Sequence, residues 1–140
     1  VFCPRFTLQI GGRNTVNKQT IIKSILVVNG ALNLLIALAL LFAPQWFFEN
    51  IGNFAPFNRH YEGDLGAFIL PLGIGLLVAA RNPSAQRTLI GLIALGSVVH
   101  VFNHVYDAAL MQAPLTHWLS DTAPLAIIAL LLLWAWWHSQ

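Results

Sequence analysis

Three side chains able to bind metal or move protons recur at helical spacing within one apolar stretch, His100-x-x-x-His104-x-x-Asp107. At 100° per residue they occupy an arc of about 60° on one helix face, stacked one above another. Two imidazoles at i and i+4 can share one metal ion. A carboxylate one turn on can complete the set or orient a ring through its second nitrogen. Asn103 borders the same face, and Asp64 and Glu62 open another apolar segment. The candidate ligand set is therefore His100, His104, Asp107 and Asp64, with Glu62 as a further member. Such nitrogen and oxygen donors suit zinc, copper, iron or manganese without choosing among them. Two other uses fit the same residues. They can form an interhelical hydrogen-bond network, with Asp64 and Asp121 capping helix N-termini, or they can hold a quinone, lipid or other small polar ligand. Haem is disfavoured, because two histidines on one helix cannot ligate opposite faces of the ring and no other segment offers a core histidine.

The elements that position these groups follow from composition. The chain has 140 residues, 57% of them apolar and only 9% charged, where a soluble domain carries about a quarter charged residues. A small fold in water leaves too much surface exposed to hide this much apolar area. Four apolar segments, at about residues 21–43, 61–80, 87–110 and 118–137, each approach the ~20 residues that cross a ~30 Å hydrocarbon core. The first is too long for the h-region of a signal peptide, so it is read as a retained helix. Short connections between segments two, three and four imply antiparallel neighbours. The fold expected is all-α, an antiparallel up-down bundle of four transmembrane helices over residues 20–138, preceded by a tail of residues 1–19.

Lysine and arginine placement gives a direction. Arg5, Arg13, Lys18, Lys23, Arg81 and Arg87 flank one side and only Arg59 the other, a positive-inside bias that puts both termini in the cytoplasm. Trp134, Trp136 and Trp137 then form an aromatic belt at the cytoplasmic interface. The aromatic-rich residues 44–57 read as an interfacial segment on the outer surface. All the acids (Glu49, Glu62, Asp64, Asp107, Asp121), together with His60 and His117, lie at or beyond the outer helix ends. The scattered basic residues make no phosphate-binding stripe, so nucleic acid is not expected as a partner. Cys3, the single cysteine, excludes an intrachain disulfide and a CxxC pair. Val1 at the start, with Met111 the sole methionine, is read as a processed or non-standard start.

No HExxH, GxSxG, P-loop or serine–lysine signature is present. Ser97 stands one turn before His100, but serine in a packed membrane helix commonly serves close helix contact. An enzyme is therefore not the favoured class, and four helices alone make no transport pathway without self-association.

The stretch Phe57-Asn-Arg-His-Tyr-Glu-Gly-Asp64-Leu-Gly-Ala, the glycine-rich helix after it, the Arg81-Asn-Pro turn and the His100/His104/Asp107 pattern resemble small bacterial four-helix membrane proteins of the DoxX-like kind. The likeness spans about residues 20–138. It implies the four-helix architecture, an inner-membrane location and a respiratory or redox accessory role, without assigning a catalytic residue. Three expectations follow: an accessory or binding protein holding a metal ion or polar ligand through its His/Asp cluster; a structural subunit of a larger membrane complex, with other membrane subunits or its own copies as partners; or a lipid- or quinone-associated enzyme.

Overall fold

Prolines and asparagines punctuate the chain into the helices of the computed structural model, which describes residues 12–52 and 55–140, with side chains from residue 18 onward. Val1, Cys3, Arg5 and Phe54 lie outside the described residues, as does the side chain of Arg13. Helix α1 (Gly12–Phe42) begins well before the apolar run, because no proline stops the polar residues ahead of it from continuing the turn. Residues 12–19 of the expected N-terminal tail are thus helical. Pro44 opens the short helix α2 (Pro44–Asn50), at a first-turn position where its missing N–H is no loss. This helix lies within the expected interfacial segment, and only Phe47 of it is buried.

Helix α3 (Arg59–Arg81) starts where Asn58 Oδ1 accepts from the backbone N–H groups of His60 and Tyr61, at 3.0 and 3.2 Å, a side-chain N-cap. It stops at Asn82, whose backbone (φ −145°, ψ 84°) has left the α region, which the following Pro83 disfavours. Helix α4 (Arg87–Leu110) and helix α5 (Leu115–His138) complete the four candidate spans. Helix α5 is interrupted by a π-helical turn, Trp118–Thr122. Pro124 accounts for its position: in a regular α-helix the ring would strike the carbonyl four residues back, that of Ser120. The wider turn, closed by the Ala123 N–H on Trp118 O, relieves that crowding.

The structure is a four-helix bundle of membrane-spanning length. Gly30 of α1 faces Gly73 of α3, while Ala37 and Leu40 face Gly66, so the two helices run antiparallel. Here the backbones nearly touch: a Cβ on Gly73 would sit 3.0 Å from both Gly30 O and Leu34 N. Gly91 of α4 instead seats the indole of Trp136, and Gly96 has open space beside it. Gly66 and Gly73 are thus the glycines of α3 at which it closes on α1. Helix α1 packs most extensively on α3, and α4 on α5.

The core joining all four helices sits toward the basic end, with Ile22 and Leu26 of α1, Leu76 and Ala79 of α3, Ile90 and Ala94 of α4, and Leu132 and Ala135 of α5. Lys18, Lys23, Arg81 and Arg87 mark that end. Most remaining large apolar side chains point outward, as a bundle solvated by lipid requires. Among the spans, α4 buries the smallest share of its apolar window, 17%.

Candidate functional site

Histidine and carboxylate chemistry collects between α4 and α5, at the end opposite the basic one. His104 and Asp121 each stand roughly six residues from the loop joining the two helices, so about 9 Å of helix rise brings both to one depth. His104 Nδ1 lies 2.6 Å from Asp121 Oδ2, a short charge-assisted hydrogen bond in which the ring N–H donates to the carboxylate. His104 Nε2 lies 2.9 Å from His100 Nε2, with ring centroids 4.7 Å apart and planes at 62°. The same Asp121 oxygen is 3.5 Å from His117 Nε2, one turn earlier on α5. The four side chains form one sequence of polar contacts, His117–Asp121–His104–His100. Asp121 belongs to the π-helical turn, a helical irregularity frequent at functional sites.

Burial along this sequence is graded. The side chains of His104, Asp121 and His117 are 19%, 32% and 34% exposed, whereas His100 lies on the exposed surface of α4. With His104 Nδ1–H engaged by Asp121, its Nε2 accepts from His100 when both rings are neutral. Adding a proton to the pair reverses that bond, and His104 then donates to His100. His100 Nδ1, which has no hydrogen-bond partner among the described residues, changes from acceptor to donor as a result.

Comparisons of the chain with known protein families, with curated proteins and with solved structures return no match. The geometry itself must carry the functional reading.

Of the ligands expected from the sequence, the structure brings His100 and His104 together and does not bring Asp107 or Asp64 to them. Asp107 Oδ2 accepts from Asn103 Nδ2 at 3.1 Å on the same helix. Asp64 lies 3.4 Å from His60 Nε2 at the exposed start of α3. Glu62 is buried, one turn before Gly66 and therefore on the side of α3 that packs on α1. Asn29 and Asn33 of α1 donate to carbonyls of their own helix, Ile25 O and Asn29 O, each at 2.8 Å, and reach none of these residues. Among the described residues no three His, Cys, Asp or Glu side chains are grouped to hold a metal ion.

The reason is rotational. Ile90, Ile93, Ala94 and Ala108 are buried and define the packed face of α4, with Ile93 turned by about 60° from Ala108 toward the polar stripe. Measured from the direction of Ala108, His104 is turned by about 40°, His100 by about 80° and Asp107 by about 100°. His104 thus falls within the packed arc and reaches across to α5, while His100 and Asp107 lie beyond its edge. Asp121 and His117 were outside the expected ligand set. The signal for Asp121 was its depth, matched to that of His104 across a short antiparallel connection.

Proposed function

We propose that the chain is a small accessory or binding protein of a bacterial inner membrane, holding a polar, lipid-soluble ligand against His100. The six-to-one bias of Lys and Arg supports cytoplasmic termini, and the resemblance to DoxX-like proteins supports the bacterial setting. The observation that carries the ligand reading is His100: an imidazole facing outward, roughly 15 Å of helix rise from the end of α4, bonded behind to His104 and through it to Asp121. Ionisable groups inside a membrane span ordinarily face a partner or a functional site. A molecule offering a carbonyl or hydroxyl, such as a quinone, would meet either protonation state of His100. The His104–Asp121 bond would lock α4 to α5 behind it.

A metal ion is the second reading. Both Nε2 atoms face one region, and Asp121 holds the far side of the His104 ring as a carboxylate does in histidine–metal sites. It would require His100 Nε2 to give up its proton and further ligands to come from outside the described residues.

Purified protein in mild detergent, titrated with a short-chain benzoquinone and separately with zinc, copper and iron, tests both readings. Thermal stabilisation by the quinone, abolished by His100→Ala, is expected. Stoichiometric metal lost in both His100→Ala and His104→Ala would select the second reading. No binding of either class, or binding indifferent to His100→Ala, would refute the proposal.

A further inference from the structure

The basic end of the bundle holds a second feature, independent of the histidines. Between α4 and α5 runs a cleft of about 640 Å³ lined by Arg87, Gly91, Leu95, Val98, Leu133 and Trp136, within the size range of ligand pockets. Gly91 makes the cleft's inner wall possible: a Cβ there would lie 2.6 Å from Trp136 Nε1. The lining is apolar along its length except at the end, where Arg87 and Thr88 stand. The guanidinium is held in place without being neutralised. Its Nε donates to Trp136 O at 3.4 Å, and its Cζ lies 5.3 Å from the centre of the Trp136 ring. No carboxylate pairs with it, because every Asp and Glu of the chain lies toward the other end. Lys18, Lys23 and Arg81 share its end, equally without a carboxylate counter-charge among the described residues.

From this we infer a binding site for an anionic phospholipid, with an acyl chain along Leu95, Val98 and Leu133 and the phosphate on Arg87. An apolar groove closed by one fixed cation has the polarity of such a lipid. The planar fork of arginine matches phosphate oxygens, and basic positions at one membrane face are where anionic headgroups collect. Leu95 is 58% exposed, so the groove opens sideways to the bilayer and a lipid can enter without unpacking the bundle. Gly91 and Trp136 then have a use beyond packing: the glycine sets the indole back and leaves Arg87 poised above it.

Native mass spectrometry of the full chain, released from non-ionic detergent with equal phosphatidylglycerol and phosphatidylcholine, reads the site directly. Wild-type protein is expected to retain phosphatidylglycerol with about a fivefold preference, the value of one Lys or Arg beside an anionic surface. Arg87→Gln should bring the ratio close to one, while Lys23→Gln, outside the cleft, should leave it unchanged. Leu95→Trp changes an exposed position and fills the groove, so retention of both lipids should fall together; this variant carries the test if Arg87→Gln does not fold. Equal retention of the two lipids by wild type would overturn the inference. So would equal losses in Arg87→Gln and Lys23→Gln, which would indicate diffuse charge. Unchanged retention in Leu95→Trp, or displacement of the lipid by millimolar glycerol phosphate, would overturn it as well.

Discussion

Removing the Asp121 carboxylate should loosen α4 from α5 by an amount that the geometry bounds. A hydrogen bond to a charged group contributes about 1.5–3 kcal/mol, whereas interhelical bonds in membranes average about 0.6 and reach about 1.7. The 2.6 Å separation favours the upper part of the membrane range, but side-chain exposures of 19% for His104 and 32% for Asp121 call for a discount for screening. A coupling of about 1–1.5 kcal/mol between the two residues is therefore expected. A double-mutant cycle of Asp121→Ala, His104→Ala and the pair, followed by unfolding in mixed micelles, isolates it. Asp107→Ala is the internal control: among the described residues its half-buried carboxylate meets only the exposed Asn103 on its own helix, so a change below about 0.5 kcal/mol is expected. Additivity within about 0.3 kcal/mol at His104 and Asp121 would refute the interhelical lock. A larger cost at Asp107 than at Asp121 would refute the rotational setting of α4.

Pro124→Ala removes the reason for the π-helical turn; relaxation to regular helix would rotate the residues before it by about 100°, and the coupling of Asp121 to His104 should then disappear from the same cycle. Gly73→Val should lower stability by about 1–3 kcal/mol through backbone contact with α1, whereas Gly96→Ala, with open space beside it, should be close to neutral by the same unfolding measurement. His100→Ala should leave the unfolding free energy within about 0.5 kcal/mol, as expected of an exposed position, while abolishing ligand binding. Gly91→Ala should displace Trp136 and cost about 1–3 kcal/mol, visible in denaturation followed by tryptophan fluorescence.

Apolar length, charge scarcity and helix punctuation were properties of the chain alone. They determined the spans because a bilayer allows a backbone little choice: its polar groups must be satisfied within each segment, and helices do this locally. Pro44, Asn58 and Pro83 set boundaries through φ restriction and capping, and these too are local. The segregation of the acids and of all histidines but His138 from all Lys and Arg but Arg59 needed only the order of the spans. The choice of face for α4 was different. In lipid both sides of a helix are apolar, so hydrophobic periodicity does not say which side packs, and the stripe of His100, His104 and Asp107 looked as fit for the interior as the one that fills it. Tertiary packing of Ile90, Ile93, Ala94 and Ala108 against the neighbouring helices decided the rotation. That left His104 reaching Asp121, His100 facing lipid and Asp107 with Asn103. The partner came from a π-helical turn whose register depends on Pro124 and on the helix it faces, which spacing within one helix cannot reveal.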